Sequence, residues 1–304
     1  MQINPLHKPE PWPLVVIVGP TGSGKSALAM HVAEKLDGEI LCADSRTVYR
    51  GMDVGTAKPT PADQTRVRHH LLDLVLPGEA FSAATFKELA LRAIDDVASR
   101  GKLPILVGGT GLYIDAVIFD YSFGKKADPA AREALVKMTT EDLIDLCQNR
   151  GIPLPANYHN KRHLVRAVEL GGLLKESREI RRNTIVVGIT MERATLLQRI
   201  RARTALMIQE GVLAEVERMG ATYGWESEAM TGNIYRIFKE VVHGTKTLET
   251  ATEEFVASDM RLAKRQMTWF KRNPHIFWSS DPVELAATIE QFAHEHGFMQ
   301  DSRV

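Results

Sequence analysis

The sequence predicts an α/β protein, a P-loop-type parallel sheet flanked by helices, with a small all-helical insertion domain. Three observations carry this reading. First, an apolar run, Leu14 to Val18, leads straight into Gly19-Pro20-Thr21-Gly22-Ser23-Gly24-Lys25-Ser26 and then into a helical pattern. Second, short apolar runs alternate with amphipathic stretches up to about residue 118. Third, between Asp128 and about Ser177 only helical signals remain, and no strand pattern returns before Ile185. The domains read as a core of residues 1–118 and 185–304 and an insertion of 119–184.

Each element has its own justification. Leu14 to Val18 is continuously apolar, as a strand buried on both faces must be. The glycine-rich turn fits G-x-x-x-x-G-K-[ST], a phosphate cradle. Its backbone N–H groups point inward, and the helix start adds its positive dipole end. Lys25 would neutralise a phosphate, and Ser26 has the hydroxyl that reaches a phosphate-bound Mg²⁺. Leu28, Ala29, Val32, Ala33 and Leu36 mark the buried face of the following helix. Glu39 to Ala43 reads as a second strand and ends at Asp44-Ser45, where open α/β sheets place ligands. A loop from Gly51 to Pro61 and a candidate third strand, His70 to Val75, come next.

Ser82 caps a helix running to Arg100, with Phe86, Leu89, Ala90, Ala93, Ile94 and Val97 at helical spacing. Leu103 to Val107 is another buried strand and ends in Gly108-Gly109-Thr110-Gly111. The insertion has helices over Pro129–Met138, Thr140–Arg150 and Lys161–Leu174, with Pro153 and Pro155 breaking the run. The last carries Lys161, Arg162, His163 and Arg166, with Arg178, Arg181 and Arg182 beyond; on composition alone this is a solvated basic face. After a strand at Ile185–Ile189 comes a long helix from Met191 to about Met219, interrupted at Gly211. Leu196, Ile200, Met207 and Ile208 form its core, and Arg199 and Arg203 share one face. A basic helix spans Leu248–Lys271. A strand, Ile276–Trp278, and a helix capped by Asp281 with Pro282 at its first position end the chain.

Composition narrows the possibilities. Lys+Arg and Asp+Glu balance at 38 each, so any basic surface must be local. Two cysteines, Cys42 and Cys147, make no disulfide framework and point to a reducing cytoplasm. Cys42 reads as a small buried hydrophobe. No apolar run approaches the ~20 residues that span a bilayer, so no membrane partner is expected. The polar, proline-rich start, Met1 to Pro13, does not read as a signal peptide. His69 and His70 read as packing or capping groups, since no partner has ligand spacing. The strand Leu103–Val107 does not end in the acid that P-loop hydrolases use to hold Mg²⁺ through water. A phosphate cradle without that apparatus suits a diphosphate leaving group. Two other classes share the cradle. A small-molecule or nucleotide kinase would transfer phosphate from ATP, and a non-enzymatic RNA-binding switch would sense a nucleotide and modify nothing.

With those two remaining as alternatives, longer stretches point to a third class. They are the P-loop itself, Asp44-Ser45-Arg46-Thr47-Val48-Tyr49-Arg50-Gly51-Met52-Asp53-Val54-Gly55-Thr56-Ala57-Lys58-Pro59, and His69-His70-Leu71-Leu72-Asp73. Leu106-Val107-Gly108-Gly109-Thr110-Gly111-Leu112-Tyr113, Arg166-Ala167-Val168-Glu169 and Ala263-Lys264-Arg265-Gln266-Met267-Thr268-Trp269-Phe270 complete the set. In these stretches, from about Leu14 to Trp278, the chain resembles the tRNA dimethylallyltransferases, which prenylate the exocyclic amine of the adenine next to the anticodon. Four positions depart from that family's usual pattern. Thr47 stands where Gln is frequent, Ile237-Phe238 where Gly-Tyr is usual, and Arg68 where Pro is common.

The resemblance implies roles. Dimethylallyl diphosphate would sit with its diphosphate in Gly19 to Ser26, contacted by Thr21, Lys25, Ser26 and Arg203, with Mg²⁺ as cofactor. Asp44 would be the general base for the adenine N6, with Thr110 beside the reaction channel. The tRNA anticodon stem-loop would meet Asp44, Ser45, Arg46 and Thr47, then Arg162, His163 and Arg166 of the insertion, then Arg236 and Lys239. Lys264, Arg265, Gln266, Thr268, Trp269 and Lys271 would complete that contact; as a plain sequence feature, Trp269 reads as helix core. The enzyme is expected to be a cytoplasmic monomer.

Overall fold

The computed structural model describes residues 10–124, 128–155, 157–171 and 179–298. Six strands, β1 (Leu14–Val18), β2 (Gly38–Cys42), β3 (His69–His70), β4 (Leu103–Gly108), β5 (Thr184–Ile189) and β6 (Ile276–Ser279), form one sheet. Every pairing is parallel, in the order β3-β2-β4-β1-β5-β6. The helices of the described residues begin with α1 (Lys25–Lys35), α2 (Pro61–Arg66), α3 (Ala83–Ser99), α4 (Gly111–Ile118), α5 (Pro129–Lys137) and α6 (Thr140–Asn149). They continue with α7 (Lys161–Leu170), α8 (Arg193–Gln209), α9 (Val212–Tyr223), α10 (Asn233–Val242), α11 (Leu248–Phe270) and α12 (Pro282–Glu295). Among the described residues no helix is long and apolar enough to cross a membrane.

β1 lies inside the sheet, and all five of its residues are buried. Successive strand residues face opposite sides, so Val15 and Ile17 join Ile105, Val107 and Val187 under α1 and α12. α3 packs against β2 and β4. The chain moves one way across the sheet from β1 to β2 and the other way from β3 to β4. With right-handed crossovers, α1 and α3 therefore take opposite faces.

Several elements differ from the expectation. The third strand stops after His70, because Leu71 and Asp73 take left-handed backbone angles (φ 66 and 53) and break the extension. Leu74 and Val75 turn back to donate to Val48 O. Gly211 (φ 89) divides the long helix into α8 and α9. α2, α4 and α10 were not anticipated. α10 carries Ile234, Tyr235, Ile237 and Phe238 on its buried face, a helical spacing present in the sequence. α7 ends at Leu170 with Gly171 left-handed after it, while Leu174 and Arg178 lie outside the described residues.

The chain divides into a core unit, which leaves at Ile118 and resumes at Ile180, and an inserted unit, Phe119–Glu179. The return comes before residue 185. Arg181 N–H already donates to Ile118 O (2.7 Å), and its guanidinium donates to Trp12 O (2.6 Å). Within the inserted unit α5, α6 and α7 close on a small core of Leu143, Cys147, Ile152, Leu164, Val165, Ala167 and Val168.

One buried charge ties the sheet edge to α3. Glu39 of β2, 7% exposed, accepts from Arg100 Nη1 (2.5 Å) and Nη2 (2.7 Å) and pairs with His70 Nε2 (2.6 Å). The Arg100 guanidinium is the main cause that holds the Glu39 carboxyl at about 2, and His70 adds to it against the cost of burial. A depressed carboxyl stabilises the fold above its ordinary value of 4.5, and that contribution disappears as pH falls from there toward 2. Glu39→Gln should therefore lose about 3 kcal/mol at neutral pH in denaturant unfolding. The gap from the parent should close in acid; a gap independent of pH would exclude this account.

Candidate active site

The P-loop is built by conformation first. Gly24 sits left-handed (φ 95) as the residue before α1, an angle that a side chain would strain. Pro20 O accepts both Ser23 N–H (3.2 Å) and Lys25 Nζ (2.8 Å), so the lysine folds back over its own loop. Loss of solvation lowers the Lys25 ammonium from 10.5 to about 8; the Asp44 carboxylate pulls it up, and the Arg203 guanidinium pushes it down.

The neighbouring strand ends supply an acid and a hydroxyl. Asp44 follows β2, and its Oδ1 accepts Arg46 N–H (2.8 Å). Thr110 follows β4; its N–H donates to Ala43 O (3.3 Å), and its Oγ1 accepts Ser45 N–H (3.0 Å). Two arginines come from α8. Arg203 Nη2 donates to Asp259 Oδ2 (2.5 Å), and Asn233 Nδ2 holds the other oxygen of that buried carboxylate (3.1 Å). Arg199 Nη1 donates to Ser23 O (3.3 Å).

These groups surround a cavity of about 480 Å³. Thr21, Gly24, Lys25, Ser26, Asp44, Arg199 and Arg203 make part of its lining polar and mostly cationic, and Ala29, Ile40, Cys42, Val107 and Leu262 add apolar surface beside Thr47, Thr56, His69 and Gln266. Burial pushes the Cys42 thiol up to about 12, so this wall stays neutral. Arg203 Nε is buried with no partner among the described residues, a donor that an anion in the cavity would satisfy.

The donor set suits Mg²⁺ held largely by a substrate. That ion takes oxygens, usually one or two from protein with phosphate and water completing an octahedron. Ser26 lines the cavity at the head of α1. Among the described residues no group of three or more His, Cys, Asp or Glu would hold an ion without substrate oxygens.

A family model described as IPP transferase matches residues 47–273. The chain belongs to the IPP transferase family. It is 40% identical over 298 residues to a tRNA dimethylallyltransferase of Roseiflexus sp. (strain RS-1), covering 91% of this chain and 97% of that one. It is 35% identical to a tRNA dimethylallyltransferase of Bacillus subtilis (strain 168), covering 95% and 98%. Among solved structures, the full-length tRNA isopentenylpyrophosphate transferase of Bacillus halodurans superposes with a TM-score of 0.72 at 34% identity, over 93% of this chain and 97% of that one. A eukaryotic dimethylallyltransferase, 21% identical, shares the fold at a TM-score of 0.75 over 96% and 82%. The family match begins after the P-loop, so the cradle rests on its own geometry.

Within this IPP transferase the expected nucleic-acid contacts divide into two groups. Arg162 and His163 on α7, Arg236 on α10, and Lys264, Arg265, Thr268 and Lys271 on or just after α11 are exposed. The others are engaged within the protein. Arg46 donates to Glu228 O (3.0 Å) and Thr231 Oγ1 (3.2 Å). Arg166 pairs with buried Glu169 (2.9 Å) and donates to Phe123 O, and Lys239 pairs with Glu226 (3.0 Å). Thr47 is buried and donates to Asp44 O (3.4 Å). Gln266 bonds to Thr21 and Gly109, while Trp269 Nε1 bonds to Asp115 Oδ2 (2.7 Å). Arg199 and Asp259 were missed as site residues. For Arg199 the four-residue spacing from Arg203 was the available signal; Asp259 had none.

The Lys25 value sets a pH dependence. Only the ammonium attracts an anion, so its contribution to binding is full below about 8 and declines as pH rises through that value. The ratio of parent to Lys25→Met affinity for inorganic diphosphate cancels the ligand's own titration. Calorimetry should find this ratio falling above pH 8, toward a limit of about tenfold per unit. A ratio constant to pH 10 would mean the lysine is not at the anion.

Proposed function

We propose that this protein transfers the dimethylallyl group of dimethylallyl diphosphate to N6 of the adenine adjacent to the anticodon in tRNA, forming N6-isopentenyladenosine and releasing diphosphate. The observation that carries this reading is one cavity with a cationic phosphate cradle, a carboxylate at the neighbouring strand end and an apolar wall. Lys25, Arg199, Arg203 and the N–H groups at the head of α1 hold the diphosphate and stabilise the charge it gains as the C1–O bond breaks. Adenine N6 attacks C1, and Asp44 accepts the N6 proton as the C–N bond forms. Thr110 lies beside Asp44 and fixes Ser45. Mg²⁺, held by Ser26 and substrate oxygens, would add charge neutralisation on the leaving group.

An adenine stacked in a loop cannot reach a cavity of this kind, so the base is flipped out. The exposed cations of α11, with Arg162 and His163 of the inserted unit, supply phosphate contacts on the anticodon arm, and the inserted unit grips that arm. The enzyme works as a monomer in the cytoplasm.

The deciding experiment supplies unmodified tRNA and Mg²⁺ with either dimethylallyl diphosphate or ATP. The first should add one prenyl group to adenine, and the second should give no phosphoryl transfer; ATP turnover without prenylation would assign the chain to the kinases. In the same assay Asp44→Asn should lower kcat by roughly 10²–10⁴-fold with little change in either KM.

Binding of tRNA has its own test. Replacing Arg162, Lys264 and Arg265 by Ala together should weaken tRNA binding and reduce the log–log salt slope by about 0.7–0.9 for each phosphate no longer neutralised. An unchanged slope would remove these three from the interface.

A further inference from the structure

Gln266 lies on α11, between exposed Arg265 and half-buried Met267, in a stretch expected to touch tRNA. Its carboxamide lines the cavity and is engaged at both ends inside the core unit. Oε1 accepts Thr21 N–H of the P-loop (2.8 Å), and Nε2 donates to Gly109 O in the loop after β4 (3.0 Å). The side chain crosses so close to Gly109 that a Cβ there would sit 2.3 Å from Nε2.

Each end of this bridge leads to reacting groups. Thr21 is four residues from Lys25, in the loop that holds the leaving group. Gly109 precedes Thr110, which is tied to Ala43 O and Ser45 N–H on either side of Asp44. β1 and β4 pair along Val15–Val18, but beyond Val18 and Gly108 their chains part into two separate loops. Gln266 is the side chain that spans them.

We propose that Gln266 is a positioning residue of prenyl transfer, setting the spacing between the diphosphate cradle and the Asp44–Thr110 pair. Both requirements are specific to an amide. One end must accept from a backbone N–H and the other must donate to a backbone carbonyl. Gln266→Met keeps the length and removes both hydrogen bonds. Gln266→Glu keeps the acceptor, but its ionised form faces Gly109 O with no proton to give. Its protonated form restores the donor.

The inference rests on the prenyl-transfer reading, and the test separates the two. If the parent protein makes no prenylated tRNA, that reading fails. If it does, steady-state kinetics on Gln266→Met should give kcat down by about 10- to 100-fold, the scale of a misplaced reacting pair. KM for tRNA and for dimethylallyl diphosphate should stay within about threefold. Gln266→Glu, measured as its kcat per folded molecule relative to the parent, should recover as pH is lowered and the new carboxyl protonates, with the folded fraction read by circular dichroism at each pH so that lost protein is separated from lost rate. An unchanged kcat in Gln266→Met would overturn the proposal, as would a defect confined to the tRNA KM. If Gln266→Met does not fold, the Gln266→Glu profile decides alone, and a pH-independent ratio overturns it.

Discussion

At Gly108 the last residue of β4 runs so close to the end of β2 that a Cβ there would lie 2.0 Å from Ala43 O. No rotamer relieves an overlap with backbone, so the position admits only hydrogen. This contact brings the two chain ends into register immediately before they diverge. Ala43 N–H donates to Val107 O (2.7 Å), and Thr110 N–H donates back to Ala43 O (3.3 Å). Asp44 and Thr110 are therefore neighbours because of a backbone contact that neither side chain makes. The acid is set by the sheet and needs no mobile loop to carry it.

The wall facing the P-loop is braced from outside. Thr56, Ala57 and Pro59 line the cavity, but the loop bearing them has no regular structure of its own. Glu215 of α9, 5% exposed, accepts Asp53 N–H (2.8 Å), Val54 N–H (2.9 Å), Gly55 N–H (2.9 Å) and Tyr235 O–H (2.7 Å). Four donors on one buried carboxylate offset its lost hydration. Lys58, its side chain 4% exposed, pairs with Asp53 (2.6 Å) and Asp73 (2.7 Å) and donates to Tyr49 O (3.0 Å). The long motif from Asp44 to Pro59 thus encodes a braced wall as well as an acid.

What the sequence made legible follows from how local each signal is. β1, β2, β4 and β5 are apolar runs inside a buried sheet, and α1, α3, α11 and α12 carry periodicity or caps over enough residues to be read. The P-loop and Asp44 were legible because a fixed spacing carries their chemistry. β3 and α4 were not. β3 is two residues long, and its continuation is stopped by backbone angles at Leu71 and Asp73 that apolar composition conceals. α4 opens on Gly111, where a Cβ would fall 2.2 Å from the Trp269 ring, so a tertiary contact chooses its first residue. Among site residues, charge gave the type of a side chain without its partner. Arg46, Arg166 and Lys239 look like nucleic-acid contacts in one dimension, and each is engaged within its own unit. Of their partners, Glu169 stands three residues on in the same helix, a spacing the sequence does show, while Glu228, Thr231 and Glu226 are 182, 185 and 13 residues away.

The P-loop alone cannot choose between a nucleotide and a prenyl diphosphate, since backbone N–H groups and Lys25 meet the same oxygens in either. Choice falls to what lies beyond the phosphates. A nucleoside asks for hydrogen-bond partners at its ribose and base; here Ala29, Ile40, Val107 and Leu262, with a thiol held neutral, line the cavity beside Thr47, Thr56 and His69. Burying ribose hydroxyls against such a wall leaves them unpaired, a cost of about 1–3 kcal/mol each. Burying a hydrocarbon tail gains about 0.8 kcal/mol per methylene. The two effects act in the same direction, toward a hydrocarbon tail, wherever the lining is apolar. An apolar lining would also keep water from C1, where an ionising allylic diphosphate is otherwise hydrolysed. Selection of the donor and protection of the reaction would then be two results of one surface.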